Sequence, residues 1–344
     1  MKKALFLLTT LILLCSILAS CGTYDPIEST EEELRVVGTI KNHNIYYDEF
    51  RCSVMNAKTI MAQEYGIDWN NATDAEAYRE ELETRVFEGL IYNYAVEILL
   101  AENGYGFDTP SIQQAVQTEV EQLIDECGGR SKYKKYLKEN YLTDRVVRFN
   151  LSVSYALNEL FFMLNDTGVF DEYVDFDIEC INPANELYYN DEDFFEAYLT
   201  LLGSGIMLRA EDIFIPKDTP DGENIVNSIF SQAKQGDTYL SEIAKQYSAA
   251  QYETFYLFEG EYDEKFFNAV ASVEEEDITF LALDSGWYII RRLAPSGDYV
   301  YQNCYTLAYK YLFLKMNEHI SEYEKTLTIV FSDFGKGLDI TKIK

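Results

Sequence analysis

Histidine is nearly missing from this 344-residue chain: there are two, His43 and His319. His43 lies in the polar turn Lys41-Asn42-His43-Asn44 and reads as a surface residue. His319 lies in a helical pattern near the C-terminus, where no serine or cysteine partner is suggested, so a nucleophilic triad has no candidates. Basic residues are also few, 28 against 59 acidic ones, for a net charge of −31. Nucleic acid is excluded as a partner, because phosphate binding needs concentrated Lys and Arg. The acidic excess reads as a solvated surface that maintains solubility. No C-x-x-C pair occurs, which leaves a zinc site without its spacing. The acids Asp171, Asp175, Asp177 and Glu179 lack the glycine turn and terminal glutamate of a calcium loop. No metal and no cofactor are expected. There is no internal repeat, and no low-complexity segment beyond a short acidic stretch.

What is present begins at the N-terminus. Lys2 and Lys3 precede the apolar run Ala4 to Leu14, too brief to span a bilayer, and the order reads as an export signal. Leu18-Ala19-Ser20-Cys21 resembles a bacterial lipobox. That resemblance implies diacylglyceryl transfer to Cys21, removal of residues 1–20, and a lipid anchor on the extracytoplasmic face of the cell membrane. A plain secretory signal or an uncleaved anchor is the alternative. Residues 21–34, acidic and polar, read as a tether. Of the six cysteines, Cys52, Cys127, Cys180 and Cys304 lie beyond this segment. A chain this long holds a core without staples, and reduced, buried thiols are expected, although sequence leaves their pairing open.

Two periods organise the rest. Val36 to Ile40 and Ile45 to Tyr47 make a short hairpin, and a helix starts near Asp48. Thr73-Asp74-Ala75-Glu76 has the form of a capping box. Behind it Leu82, Val86, Leu90, Tyr94 and Ile98 recur every four residues. Thr109-Pro110 opens another helix with the stripe Ile112, Val116, Val120 and Leu123, ending at Gly128-Gly129. Further helices are expected at 131–140, 143–165 and 191–202, with a two-faced strand at 173–181. From 206 the pattern becomes strand (208–215), helix (224–235), short helix (241–247), strand (255–258), helix (265–271) and a hairpin turning at Asp284-Ser285-Gly286. A long helix from about 302 to 327 closes the chain.

The order of elements over 206–295 resembles the parvulin-type prolyl isomerase domain. Gly236 to Ser248, Phe266 to Val273 and Ser285 to Leu293 are similar to its local words. The hairpin followed by Tyr46-Tyr47-Asp48-Glu49-Phe50, with Tyr65 to Asp68 beyond it, resembles the N-terminal region of the PrsA and SurA foldases. The resemblance implies an α+β chain with a helical chaperone domain over 35–204. A small antiparallel parvulin-like sheet domain flanked by helices is inserted at 205–296, and a segment at 297–344 packs back on the chaperone domain. It implies a membrane-anchored foldase whose partners are unfolded or nascent exported polypeptides; a homodimer is left open.

The resemblance also marks site positions, and this sequence departs from them. The family's first-strand histidine is Asp212, its hairpin histidine is Tyr288, and its acid is Glu253. Tyr262, Phe266, Phe267 and Trp287 fall at the substrate-binding cradle. Asp212 facing Tyr288 is expected to form a hydrogen-bonded couple, with Tyr262 filling rather than lining a proline pocket. The implied reading is a domain weak or inactive as an isomerase. An active isomerase with an altered site, or a non-enzymatic envelope binding lipoprotein, is the alternative.

Overall fold

The computed structural model describes residues 25–172, 178, 181–182, 192–203, 205–236, 239–260 and 263–344. The lipobox with Cys21, Tyr262, and most of the expected strand at 173–181, Cys180 included, lie outside the described residues. The fold is α+β: the described residues are mostly helical and form two small antiparallel sheets. It divides into one compact unit running to Thr167 and resuming at Met316–Lys344, and a second formed by Gly168–Lys315.

The first unit begins with β1 (Val36–Ile40) and β2 (His43–Tyr46), which pair in antiparallel register from Val36↔Tyr46 to Ile40↔His43. Helix α1 (Tyr47–Tyr65) follows without a break and stops at Gly66, whose φ of 70° suits glycine. Residues before β1 are ordered as well: the Ile27 amide donates to Asp144 Oδ2 at 3.3 Å.

The expected capping box at Thr73 is not used. Asn71, an equally strong cap, accepts the Thr73 amide at 2.9 Å and starts a six-residue helix, α2 (Ala72–Ala77). Tyr78 then leaves helical geometry, and α3 (Arg79–Glu102) begins after it. The anticipated stripe Leu82, Val86, Leu90, Tyr94 and Ile98 is buried. Helix α4 (Pro110–Glu126) buries Ile112, Val116, Val120 and Ile124. Ile124 replaces the expected Leu123, because it lies one full turn beyond Val120 on the same face. Helices α5 (Arg130–Glu139) and α6 (Asp144–Asp166) complete the bundle, and the Thr143 hydroxyl caps α6 by accepting the Val146 amide at 3.1 Å.

A buried polar network joins α1 to α6. Arg145 reaches Asp48 Oδ2 through Nε at 3.1 Å and Glu49 Oε1 through an Nη at 2.6 Å. Thr143 donates to Asp48, and the Tyr94 hydroxyl donates to Glu49, each at 2.7 Å. Asp48 and Glu49 are both buried, and burial pushes the Glu49 carboxyl above its ordinary range despite the Arg145 charge.

The last strand, β7 (Ile329–Phe331), adds to the free edge of β1 through Gly38↔Phe331, Thr39↔Val330 and Ile40↔Ile329. Helix α12 (Asp333–Lys336) follows. A Cβ on Gly335 would stand 2.0 Å from the Val37 carbonyl oxygen, so only glycine fits there.

The second unit contains α7 (Glu192–Gly203) and a four-stranded antiparallel sheet of order β4-β3-β6-β5. Its strands are β3 (Met207–Pro216), β4 (Gln251–Phe258), β5 (Ile278–Leu283) and β6 (Gly286–Leu293). One face is covered by α8 (Gly222–Lys234) and α9 (Leu240–Ala244): Ile213, Ile215 and Ile289 pack against Val226, Ile229 and Leu240. The other is covered by α10 (Glu264–Ala271): Leu208, Ala210, Leu257 and Ile290 pack against Phe266 and Val270. Helix α11 (Gly297–Glu324) follows the hairpin, with Asn303 out of helical geometry. Among its residues in this unit, Val300, Cys304, Ala308 and Leu312 are buried.

Candidate functional site

Successive strand residues point to opposite faces, and this decides the site. Asp212 shares the α10 face with Ala210 and Phe214. Its register partners are Glu253 on β4 and Ile290 on β6. Tyr288 pairs with Phe214, so it stands one pair along on the same face. Asp212, Glu253, Tyr288 and Phe266 are therefore brought together, and Phe267 packs, half-buried, against the same apolar cluster.

The interior of this face is filled with rings. Tyr288 lies 4.7 Å from Phe214 and meets Phe266 edge-on at 5.2 Å. Phe255 lies 5.9 Å from Phe266. Such contacts are worth about 0.5–1.5 kcal/mol each beyond their buried area, so the rings form a packed cluster. Phe214 and Phe255 were not anticipated at the site. Their signal was available, since both lie an even number of residues from Asp212 or its partner.

The expected couple between Asp212 and Tyr288 is not formed. The Tyr288 hydroxyl lies 3.3 Å from Ser285 Oγ, while Asp212 is 2% exposed and its Oδ1 has no hydrogen-bond partner. The cause is the register: Tyr288 stands two residues along from Ile290, the partner of Asp212, and its ring is held by Phe214 and Phe266. Burial first, and the Glu253 carboxylate second, push the Asp212 carboxyl up to about 7. Near neutral pH the group is divided between a buried anion and a neutral acid, and only the acid can donate a hydrogen bond.

Trp287, expected in the cradle, is on the opposite face. It pairs with Ile215, packs with the α8 and α9 cluster, and carries the Lys217 ammonium 4.3 Å over its ring. Side-chain alternation makes this unavoidable once Tyr288 faces α10. Glu211 also belongs to that opposite face, where it bonds Arg291 at 3.1 Å and accepts from the Tyr252 hydroxyl at 2.7 Å.

Among the described residues no group of three or more His, Cys, Asp or Glu side chains converges on a metal-sized site. Cys52 and Cys304 are buried free thiols whose pKa values burial raises to about 11 and about 12, and Cys127 is free and half-buried. His43 is not an isolated surface residue: its Nδ1 lies 3.3 Å from Glu97 Oε2. No described helix is long and apolar enough to cross a membrane.

No protein-family model and no curated protein matches the chain. Solved structures do. The foldase protein PrsA of Streptococcus pneumoniae is 11% identical, covering 85% of this chain and 92% of its own, with a TM-score of 0.32. The peptidylprolyl isomerase PrsA of Bacillus anthracis is 14% identical over 69% of this chain and 96% of its own, also at 0.32. A SurA-like chaperone of Campylobacter jejuni is 9% identical over 86% and 99%, at 0.30. Solved structures of foldases and of a SurA-like chaperone are thus among those this chain is similar to.

Proposed function

We propose that this protein is an extracytoplasmic foldase that holds unfolded exported polypeptides, anchored to the membrane through a lipid on Cys21. In this reading the sheet unit keeps the parvulin scaffold as a binding module and is poor as a prolyl isomerase. The observation that carries the reading is the state of the α10 face. Crossing an X-Pro barrier of about 18–20 kcal/mol requires a pocket that favours the twisted amide over the planar one. Here the two histidine positions are a buried, unpartnered aspartate and a tyrosine wedged between two phenylalanines. In this reading the rings take the space a proline ring would need, and neither of the two histidine positions offers an imidazole to polarise the amide.

Two assays test this together. In the first, the protein suppresses aggregation of a chemically unfolded, unrelated protein at near-stoichiometric ratio. In the second, it accelerates isomerisation of a proline tetrapeptide less than about tenfold over the uncatalysed rate. A second reading, an isomerase with an altered site, is favoured by the Asp212 carboxyl titrating near 7. It predicts substantial catalysis, abolished by Asp212→Ala. Failure to protect any unfolded protein leaves the third reading, an envelope lipoprotein with one dedicated ligand.

A further inference from the structure

Among the described residues, nothing pairs with the outer edge of β5, and no backbone hydrogen bond outside the β5–β6 ladder reaches residues 278–283. The ladder's phase is fixed at both ends. At one, the Arg292 amide donates to the Asp277 carbonyl and the Glu276 amide to the Arg292 carbonyl, a bulge in which Glu276 takes φ 70°. At the other, a two-residue turn joins Leu283 to Gly286. Alternation between these points directs the amides and carbonyls of Thr279, Leu281 and Leu283 to β6. It turns those of Ile278, Phe280 and Ala282 outward.

The strand Ile-Thr-Phe-Leu-Ala-Leu carries none of the usual protections of a free edge, having no proline, no lysine and no inward charge. Its surroundings select a partner. Glu274, Glu275, Glu276 and Asp277 precede it, Asp284 follows it, and no basic residue occurs between Lys265 and Arg291. A cleft of about 700 Å³ opens at its N-terminal end, lined by Tyr239, Glu276, Asp277 and Ile278 together with Lys234 and Arg291. Arg291 is paired with Glu211 at 3.1 Å, while Lys234 lies 4.7 Å over the Phe230 ring and keeps its charge, so the negative side of the cleft is the Glu276–Asp277 end that continues into Glu274 and Glu275. Tyr239 is 75% exposed at this cleft, and Phe280 is 41% exposed on the strand.

Resting on the polypeptide-binding reading above, we infer that the β5 edge captures an extended apolar client segment by antiparallel strand addition, with a basic end of that segment seated against the acidic flank Glu274–Asp277 at the mouth of the cleft. Main-chain hydrogen bonds supply affinity without a sequence code, and the cleft supplies selectivity. A second copy of this chain is a poor occupant. Its own β5 would bring the same acidic flanks alongside these, on a molecule of net charge −31.

The test uses the full chain and a fluorescein-labelled nonapeptide with an alternating valine–threonine core and two lysines at its C-terminal end. Anisotropy titration is expected to show binding that weakens at least tenfold when glutamates replace the lysines, a difference that shrinks at 0.5 M salt. N-methylation of alternate core amides is expected to abolish binding. Ala282→Pro removes an outward amide at an exposed position and is expected to weaken binding at least tenfold, while Ala282→Ser does not. Trp287 fluorescence during heating reports whether the variant is folded; where it is not, the N-methylated peptide on the native chain decides. Equal binding of the N-methylated or the glutamate peptide overturns the inference. So does a sedimentation-detected dimer that Ala282→Pro dissolves. If these arms fail while aggregation suppression persists in Ala282→Pro, the inference alone falls. If the native chain protects no unfolded protein, the functional reading falls instead.

Discussion

Asp212→Asn should make the sheet unit more stable at high pH and alter its response to acid. The native carboxyl is 2% exposed, has an unpartnered Oδ1, and is raised from 3.8 to about 7. The folded state therefore binds this proton more tightly than the unfolded chain does. Its favourable contribution is complete below pH 4 and is lost as pH rises through about 7. The shift is about three units at 1.36 kcal/mol each, so the cost at pH 8 is about 4 kcal/mol. Asparagine stays neutral and escapes it. The two tryptophans, Trp69 and Trp287, fall in different units, so a Trp69→Phe background leaves fluorescence reporting on the sheet unit. Urea unfolding is measured from pH 4 to pH 8 with and without Asp212→Asn. The stability difference between the two chains is expected to change by about 4 kcal/mol in favour of asparagine across that range. Parallel profiles would show that Asp212 is solvated or paired in solution, and would remove the physical basis given for the filled face.

Other expected outcomes follow from the same inspection. Glu253→Gln is expected to remove the smaller part of the Asp212 shift, visible as a lower midpoint in the same pH series. Arg145→Met leaves Asp48 and Glu49 buried without their cation and is expected to cost about 3 kcal/mol in the helical unit; urea unfolding followed by Trp69 in a Trp287→Phe background measures it. Gly335→Ala forces a methyl against the Val37 carbonyl and is expected to lower the thermal midpoint of that unit by several degrees, checked by differential scanning calorimetry. Cys52 and Cys304 are expected to resist a thiol reagent at pH 8 until the protein is unfolded, with Cys127 reacting first, as mass spectrometry of the labelled peptides would show.

Much of the architecture was readable because it is periodic. The four-residue recurrence from Leu82 to Ile98 and the alternation from Leu208 to Ile215 both place their residues where the structure buries them. What sequence misjudged depends on competition between similar residues. Asn71 took the cap from Thr73, and Ile124 took the stripe position from Leu123, differences of a fraction of a turn. At the site, the face shared by Asp212 and Tyr288 was legible, but their two-residue offset was not, because β3 and β6 pair across some 70 residues of chain and no local turn sets their register. Trp287 falls at the cradle only by resemblance, and adjacent strand residues necessarily diverge, so it cannot share a face with Tyr288. The pairing of Glu211 with Arg291, 80 residues away, left no local signal at all. Neither did β7 on β1, since a three-residue strand is too short to display a period.

That last pairing has a kinetic consequence. The Ser332 hydroxyl donates to the Val36 carbonyl at 2.7 Å, across 296 positions of chain. If everything between were still random coil, closing so long a loop would carry a substantial entropic penalty, growing with the logarithm of its length. Prior condensation of residues 168–315 into their own body shortens the span left to close. A polypeptide that emerges N-terminus first would therefore hold its opening hairpin incomplete until nearly all of it had appeared, and would seal that sheet as one of its last acts of folding.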